Sequence, residues 1–415
     1  MTACGESNVP AFLGAPPAKT TPYGRETRYG AEEMRELEEA LAQGTLFYAQ
    51  GKKVRQLEAE FAAQNGVRYA VACSSGTAAI HAALIAVGIS PGDEVILAPI
   101  TDMGSAIPIL YQGAVPVFAD LDSRTFTLDP NAVAAAITPR TRAVLAVHLW
   151  GNACDMTALA ALCDRHGLVL IEDCAQALGC TYQNRPIGTW GAIGCFSLNE
   201  FKHISCGDGG IVLTDDSHLA ERLRLATDKA YNRRPDAAIR NPTFLAGNYR
   251  MTELQGAVAI AQLRKLSGIV ARRRAWCAKL SERLRALPGL RVPLPTPGCD
   301  PSWWFYLMQV EPDVLGADAD AVASALRAEG LPVGAHYIGT CLYEYPVFAD
   351  HTAFMRGRHA FSDHLYARGL CPVAEQILAN GIVFAVNEAY TPTDLDETVQ
   401  AFHRVAGWFH SHRAL

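Results

Sequence analysis

Four polar residues of different chemistry lie within or beside apolar runs between positions 168 and 210. They are a carboxylate (Asp173), an amide (Gln176), a hydroxyl (Ser197) and a lysine (Lys202). A lysine can form an imine with an aldehyde, and a carboxylate can keep the nitrogen of a bound ring protonated. A hydroxyl and neighbouring backbone N–H groups can hold a phosphate. These residue types are therefore sufficient to bind an aldehyde cofactor that carries a phosphate and a basic ring nitrogen.

Each of these residues also has an ordinary structural interpretation. Asp173 could cap the following helix, and Gln176 could be a structural amide. An isolated lysine is usually a surface residue, but Lys202 stands in a run with few other charges, where partial desolvation would lower its pKa. The spacing of Lys202 from Asp173 and Ser197 favours the catalytic interpretation.

The segment Ser74–Thr77 offers a second part of such a site. It follows an apolar run typical of a strand and opens a run typical of a helix. The first turn of a helix has free N–H groups and the positive end of the helix dipole, which favour a phosphate, and Gly76 lets the backbone approach closely. The segment could instead be a plain helix cap. The GxxxxGK[ST] phosphate-binding motif is absent from the sequence.

Strand and helix patterns alternate over residues 68–173. Strands are predicted at RYAVACSS, DEVILAP, AVPVFADLD, RAVLAVHL and LVLIEDC, with helices between them. This alternation predicts an α/β fold with a mostly parallel sheet and helices on both faces. Ligands of such sheets bind at the carboxyl ends of the strands. Four segments lie at such ends, namely 74–77, 99–103, 148–152 and 173–176.

The whole chain is predicted to have three parts. Residues 1–30, rich in Pro, Gly and Thr, form an N-terminal arm. Residues 31–287 form a large domain that begins with two helices, the first with Met34, Leu37 and Leu41 on one face, and ends with a long helix over about 252–287. Residues 288–415 form a small α+β C-terminal domain. It begins with a linker-like stretch, PLPTPGCDPS, and contains strands at WFYLMQV and VGAHYI and a final helix over 395–410.

The composition narrows the classes of function. The chain has 415 residues, of which 50% are hydrophobic, and a net charge of 36 − 42 = −6. A sizeable core is expected, and nucleic-acid binding as the main activity is disfavoured. Neither a signal peptide nor a membrane-spanning run is predicted. The 12 cysteines show no zinc-ligand spacing, so we expect reduced thiols in a cytoplasmic protein, with neither disulfides nor a metal site.

Several short motifs together resemble the DegT/DnrJ/EryC1/StrS family of sugar aminotransferases that use pyridoxal 5′-phosphate (PLP). The resemblance runs from about residue 30 to the C-terminus, and the motifs come in the family's order and spacing. The matching pieces are SGTAA (75–79), HLWG (148–151), EDCAQA (172–177), FSLN (196–199) with Lys202, GDGG (207–210), and GNYRM (247–251) with Gln262-Leu263. The resemblance implies a fold type I PLP-dependent transferase, like aspartate aminotransferase, and a homodimer with shared active sites.

The resemblance also implies roles for individual residues. Lys202 resembles the Schiff-base lysine and Asp173 the partner of the pyridine nitrogen, which makes both catalytic. Contacts with the cofactor are expected from Ser75, Gly76, Thr77, Met103, Asp173, Gln176, Ser197, Asn199, Lys202 and, across the dimer, Asn248. Contacts with the substrate are expected from Trp150, Arg250, His336 and Tyr337.

The chain departs from the family's pattern after the second predicted strand of the sheet. The family usually stacks an aromatic residue on the cofactor there, whereas this chain has Ile100–Met103. Either Met103 or Asp102 takes that place, or Trp150 compensates for it. The family's dehydratase branch has histidine at the position of Lys202, so the lysine favours transamination over deoxygenation.

We therefore expect an enzyme that moves an amino group from glutamate or glutamine to a keto sugar or keto-cyclitol, in amino sugar or antibiotic biosynthesis. A nucleotide-linked sugar would require basic residues near the site, for which Arg233, Arg234 and Arg250 are candidates. Two alternatives stay open at this point. One is a PLP enzyme of different outcome, such as an epimerase or dehydratase, and the other is a non-catalytic PLP-binding regulatory protein.

Overall fold

The computed structural model describes residues 9–234, 236–354 and 365–412. The first eight residues of the predicted arm and the last three of the predicted C-terminal domain lie outside these ranges. The helices are α1 (Ala31–Ala42), α2 (Lys53–Asn65), α3 (Gly76–Val87), α4 (Met103–Tyr111), α5 (Pro130–Ala136), α6 (Met156–His166), α7 (Ser217–Thr227), α8 (Glu253–Leu284), α9 (Pro312–Leu315), α10 (Ala319–Ala328), α11 (Pro346–Ala349), α12 (Pro372–Asn380) and α13 (Pro392–His412). The strands are β1 (Tyr69–Cys73), β2 (Glu94–Leu97), β3 (Val115–Phe118), β4 (Thr141–Val147), β5 (Val169–Asp173), β6 (Thr181–Tyr182), β7 (Arg185–Pro186), β8 (Ile193–Ser197), β9 (Gly210–Thr214), β10 (Leu290–Arg291), β11 (Cys299–Asp300), β12 (Phe305–Val310), β13 (Val333–Ala335) and β14 (Gly381–Ala385).

The central element is a seven-stranded sheet in the order β1-β9-β8-β5-β4-β2-β3. The pairs β2–β3, β2–β4, β4–β5 and β5–β8 are parallel, and β9 runs antiparallel to both of its neighbours. The strands are short apolar runs and almost every residue in them is buried, as expected for a sheet covered by helices. The predicted α/β fold with a mostly parallel sheet is therefore confirmed.

A second, antiparallel sheet lies in the C-terminal part, in the order β10-β12-β14-β13. Its strand β14 was not predicted, although it lies between β12 and β13. The prediction of a strand over VGAHYI was wrong at its end. His336 and Tyr337 have φ angles of 63° and 44°, so the chain leaves the sheet after Ala335.

The stretch PLPTPGCDPS is more than a linker. Within it, β11 pairs with β6 of the small hairpin formed by β6 and β7, which ties this stretch back to the part of the chain that carries the large sheet. The predicted arm is tied down as well, because the Lys19 ammonium binds the Asp394 carboxylate of α13 at 2.7 Å. The division of the chain at residues 30 and 287 remains our proposal, and the separate sheets support it.

Helix α1 turns its apolar face outward. Met34 and Leu41 are 58% and 61% exposed, whereas Glu33 and Glu36 are buried. The two buried carboxylates are each paired with a lysine: Lys265 binds Glu33 at 2.5 Å, and Lys53 binds Glu36 at 2.6 Å. Among the described residues, this arrangement leaves Met34 and Leu41 largely uncovered, as an apolar surface. Among the described residues, no helix is long and apolar enough to cross a membrane.

Candidate active site

A cavity of about 230 Å³ opens at the carboxyl ends of β1, β2, β5 and β8. Its wall includes eight residues that the sequence predicts to be functional: Ser75, Gly76, Thr77, Asp173, Gln176, Ser197, Asn199 and Lys202. Residues Ile80, Thr101, Asp102, Gly104, Ser105, Ala175 and Asp208 complete it. The predicted segment 148–152 does not line the cavity. It lies behind Gln176, whose side-chain oxygen accepts a hydrogen bond from the Trp150 N–H at 3.0 Å.

One end of the cavity is built for an anion. Ser75 caps α3 by accepting a hydrogen bond from the Ala78 N–H at 3.0 Å. The N–H groups of Gly76 and Thr77 are the first two of the helix, so they have no partner within it and lie at the positive end of its dipole. The Ser197 hydroxyl lies beside them, because an added Cβ on Gly76 would be only 2.8 Å from the Ser197 Cβ. The helix start and the strand end thus form a close-packed cradle.

Asp173 lies at the other end of the cavity, at the end of β5, and is 4% exposed. Its carboxylate accepts hydrogen bonds from the Ser105 hydroxyl at 2.6 Å and from the Ala175 N–H at 3.0 Å. Burial nevertheless raises the pKa of Asp173 above its usual value. A cation placed against this carboxylate would stabilise its ionised form, which is the property needed to keep a ring nitrogen protonated.

Lys202 also lines the cavity and is 9% exposed. Burial lowers the pKa of its amine, although the negative charges of Asp173 and Asp102 oppose the shift. A lowered pKa increases the fraction of free amine, which is the nucleophilic form. The Lys202 ammonium lies 3.9 Å from the centre of the Trp304 ring.

Two amides have structural partners inside the cavity. Gln176 donates a hydrogen bond to the Tyr337 hydroxyl at 3.2 Å in addition to accepting the one from Trp150. Asn199 donates to the Asp208 carboxylate at 2.9 Å. Both amides fix neighbouring segments, and both still face the cavity. Tyr337 reaches the site only through Gln176.

The other predicted residues do not line the cavity. Met103 is partly buried and packs against the core, while its neighbour Asp102 lines the wall. Trp150 is fully buried, and its indole N–H donates to the Thr125 carbonyl at 3.1 Å. Its backbone N–H donates to Gln176 of the cavity wall, and its backbone carbonyl accepts a hydrogen bond from the Trp304 N–H. His336 is bound to the Asp320 carboxylate at 3.0 Å.

Asn248 and Arg250 belong to a strand-like segment beside β1, where the Tyr249 carbonyl accepts a hydrogen bond from the Ser74 N–H at 2.8 Å. Asn248 itself is exposed. Arg250 is bound to the Asp228 carboxylate at 2.5 Å.

Asp228 binds two of the three basic candidates for a nucleotide, Arg233 and Arg250, whereas Arg234 pairs with Asp236 instead. Asp228 is 1% exposed and also binds the Tyr48 hydroxyl, at 2.7 Å. Burial alone would raise the pKa of Asp228, but the hydrogen bonds from Arg233, Tyr48 and Arg250 hold it below its usual value. Two guanidinium groups and one carboxylate leave this cluster with one net positive charge.

Sequence reasoning gave no role to Thr101, Ser105 and Asp208, which line the cavity, or to Trp304, whose ring faces Lys202. Ser105 is the clearest omission, since its hydroxyl binds Asp173 and the Thr101 hydroxyl at 2.8 Å. Its place in the first turn of the helix after β2 could have revealed it. Nothing in the local sequence pattern distinguishes Trp304, which reaches the site from the start of the second sheet.

One buried cluster next to the site has the residue types of a metal centre. The possible ligand atoms of His148, Glu172 and Cys174 lie within 4.8 Å of one another. The Glu172 carboxylate, however, already accepts hydrogen bonds from His148 and from the N–H groups of Gly188, Trp190 and Gly191. These bonds fix the turn that leads into β8, so the cluster is explained by its structural role.

The chain as a whole matches one family model. Residues 27–390 match the model of the DegT/DnrJ/EryC1/StrS aminotransferase family. This chain belongs to that family. The predicted family is thus confirmed, and the protein is a PLP-dependent aminotransferase of fold type I.

Individual relatives agree with the family assignment. The chain is 38% identical to the spore coat polysaccharide biosynthesis protein SpsC of Bacillus subtilis (strain 168) over 325 residues, which are 77% of this chain and 82% of SpsC. It is 29% identical to the solved aminotransferase from Psychrobacter cryohalolentis, with a TM-score of 0.84, covering 94% of this chain and 100% of the other. It is also 29% identical to DesI, solved in the presence of its TDP-sugar product, with a TM-score of 0.81 and coverage of 99% and 98%.

The residues around the cavity fit PLP. The cradle at Gly76 and Thr77 offers N–H groups and hydroxyls to a phosphate, and a methyl group on Gly76 would fill it. The buried Asp173 suits the ring nitrogen, and the Lys202 amine suits the aldehyde. The aromatic residue that the family usually stacks on the ring is absent from this wall, where Asp102 stands instead.

Proposed function

We propose that this aminotransferase moves an amino group from glutamate or glutamine to the ketone of a sugar or cyclitol. The observation that carries the proposal is the convergence of Lys202, Asp173 and the N-terminus of α3 on one cavity. These three features supply an amine, a buried acid and an anion cradle around one cavity. Amino sugar or antibiotic biosynthesis is the setting we propose for this activity.

When bound, PLP supplies an aldehyde for imine formation and a pyridinium ring that withdraws electrons from the bond being broken. Asp173 would hold the proton on the ring nitrogen, and the hydrogen bonds that it accepts from Ser105 and Ala175 would keep it oriented. Gly76, Thr77 and Ser197 would hold the phosphate. The Lys202 amine would hold the aldehyde carbon, and once freed by the donor amine it would take the proton from the α-carbon of the donor and deliver it to the carbon that had carried the aldehyde.

The acceptor class follows from the relatives and not from a substrate pocket. SpsC is named for polysaccharide biosynthesis, and DesI was solved with a TDP-sugar product, so a sugar ketone is the acceptor we favour. A nucleotide-linked acceptor would have to be held by the cluster of Arg233, Arg250 and Asp228, whose single net positive charge suits one phosphate group.

We further propose a homodimer in which Asn248 of one subunit contacts the phosphate in the partner's site. The outward apolar face of α1 supports a second copy as the occupant. Met34 and Leu37 line an apolar hollow of about 500 Å³ together with Tyr29 and Val258, beside Gly207 of the turn that precedes β9. The hollow therefore adjoins the segment that carries Lys202 and leads into β9. A partner subunit that contributes Asn248 to this site would have to lie against the same surface.

The function is tested by following the amino nitrogen. Glutamate and amide-labelled or amine-labelled glutamine carrying nitrogen-15 are incubated with a panel of keto sugars and cyclitol ketones, and the products are analysed by mass spectrometry. Transfer of the label to one class of ketone is expected. If no ketone gains the label while the donor releases its labelled nitrogen as ammonia, the enzyme does not use these acceptors and the proposal fails.

The shared site is tested by mixing two inactive variants, Lys202→Ala and Asn248→Ala. Random exchange makes half of the dimers mixed, and each mixed dimer has one intact site, so about a quarter of wild-type activity should return. Mixing Lys202→Ala with Asp173→Asn is the matched control. Each site takes both Lys202 and Asp173 from one subunit, so in this mixed dimer every site lacks one of the two residues and stays inactive. Equal recovery in both mixtures, or none in the first, would contradict a contribution of Asn248 across the dimer.

A further inference from the structure

The amine of Lys202 lies over an aromatic ring. Its Nζ is 3.9 Å from the centre of the Trp304 ring, and among the described residues it makes no hydrogen bond. A largely buried ammonium without hydrogen bonds is costly, and an indole face offsets part of that cost through its negative quadrupole. The Trp304 face is therefore a local stabiliser of the charged form of Lys202, beside the more general effect of nearby negative charge.

Trp304 is held in place by its indole N–H and by its backbone. Its indole N–H donates to the Phe201 carbonyl at 2.7 Å, next to Lys202 in the chain. Its backbone N–H donates to the Trp150 carbonyl at 3.0 Å, and β12 begins at the following residue, Phe305. The ring is thus bonded to the lysine segment, and the backbone of Trp304 is bonded to the loop after β4 and leads directly into the second sheet. These contacts define the position of the ring relative to Lys202.

Charged groups around Lys202 do not replace this contact. Asp173 at the end of β5 and Asp102 at the cap of α4 act on the amine only through their charge. The Arg28 guanidinium, from the N-terminal arm, donates to the Lys202 carbonyl at 3.0 Å and leaves the amine untouched.

We infer that Trp304 is a positioning residue that receives the Lys202 ammonium whenever the lysine is not bonded to the cofactor. This inference rests on the proposed role of Lys202 as the imine-forming lysine. During transamination the donor displaces the lysine, whose free amine must then accept a proton from the reacting carbon and so must stay within its reach. The Trp304 face keeps the released amine beside the cavity and favours its protonated form. It breaks and forms no bond itself.

The test compares Trp304→Leu, which removes the aromatic face, with Trp304→Phe, which keeps a weaker face and loses the indole N–H. The first measurement is the pH dependence of cofactor uptake by the cofactor-free full chain, followed by absorbance. Loss of the face should lower the midpoint by about one pH unit in Trp304→Leu, which corresponds to a tenfold lower proton affinity. Trp304→Phe should lie between the leucine variant and the wild type, since phenylalanine offers a weaker cation–π face.

The second measurement separates positioning from binding. In the loaded enzyme kcat should fall about tenfold or more in Trp304→Leu, since the released lysine is less well placed, while KM for the donor changes less than twofold. Trp190→Leu is the matched control. It removes an indole that lies 4.9 Å from the Arg185 guanidinium and outside the cavity wall, so it should leave both measurements unchanged.

Three results would overturn the inference. A wild-type midpoint and kcat in a folded Trp304→Leu protein would show that Trp304 only fills space. A Trp304→Phe variant as impaired as the leucine variant would show that the indole N–H matters and the aromatic face does not. The same losses in Trp190→Leu would show a general effect on stability. A wild-type enzyme that takes up the cofactor but transfers no labelled nitrogen would contradict the proposed function and leave the midpoint comparison intact.

Discussion

Replacing Gly76 with alanine probes the phosphate cradle with a single methyl group. The added Cβ would lie 2.8 Å from the Ser197 Cβ and 3.2 Å from its hydroxyl oxygen. Ser197 cannot easily yield, because it is paired with Gly210 in the sheet, and Gly210 itself has no room for a Cβ against the Ser75 carbonyl at 2.2 Å. The methyl group therefore has to push the start of α3 away from the end of β8.

The cost of such overpacking is about 1–3 kcal/mol. The greater helix propensity of alanine offsets up to about 1 kcal/mol of it in the folded chain, so the protein should still fold. Helix propensity does not affect cofactor binding, so it offsets none of the cost there. The displaced N–H groups at the start of α3 would no longer point at the phosphate. At about 1.4 kcal/mol for each factor of ten, the affinity for PLP should fall about 5-fold to 140-fold.

The assay is a titration of cofactor-free protein with PLP, followed by absorbance, together with thermal melts of both proteins. Gly407→Ala is the control, because it adds the same methyl group within α13 where no atom lies within 4 Å. It should raise the melting temperature slightly and leave PLP affinity unchanged. An affinity within twofold of wild type for Gly76→Ala would refute the assignment of this helix start to the phosphate.

Three further changes test the acid, the lysine and the dimer. The pKa of Asp173 in the folded protein is raised above 3.8, so the free energy of unfolding of the cofactor-free protein should fall as the pH rises from 3.8 through that raised pKa. In thermal melts, Asp173→Asn should abolish this fall. In kinetic assays, the same variant should slow the donor half-reaction at least about a hundredfold. Asp102→Asn keeps the cap of α4 but removes a charge that raises the pKa of Lys202. The pH midpoint of cofactor uptake should therefore move lower. Asp129→Asn, which changes a cap of the same kind at α5, is the control and should leave the midpoint unchanged. Met34→Glu should convert the dimer to monomers in sedimentation and abolish activity, and a dimeric Met34→Glu protein would contradict the assignment of this face.

The parts of the site that follow directly from strand ends could be predicted from the sequence. Asp173, Ser197 and Gly76 stand where an apolar run stops, and in a parallel sheet such ends meet at one edge. Lys202 lies five residues beyond the end of β8, close enough for the same reasoning to include it. The order of strands, including the antiparallel β9, is a tertiary property, and the short apolar runs alone did not specify it.

Residues that reach the site from a distance could not be predicted in this way. Trp304 precedes β12 and arrives at Lys202 only because its backbone is bonded to Trp150, a contact between segments 154 residues apart in the chain. The outward face of α1 was hidden for a different reason. A periodic apolar pattern marks a face that will be buried, but it does not say whether the chain itself or a second copy covers that face.

The central claim, that Lys202 bonds to PLP and exchanges it for a donor amine, is tested most directly by the visible absorption spectrum of the purified protein. We predict a cofactor band in the wild type that is altered in Lys202→Ala and bleached by glutamate or by glutamine. A wild-type protein that shows no band even after PLP is added, or a band that Lys202→Ala leaves unchanged, would contradict the claim.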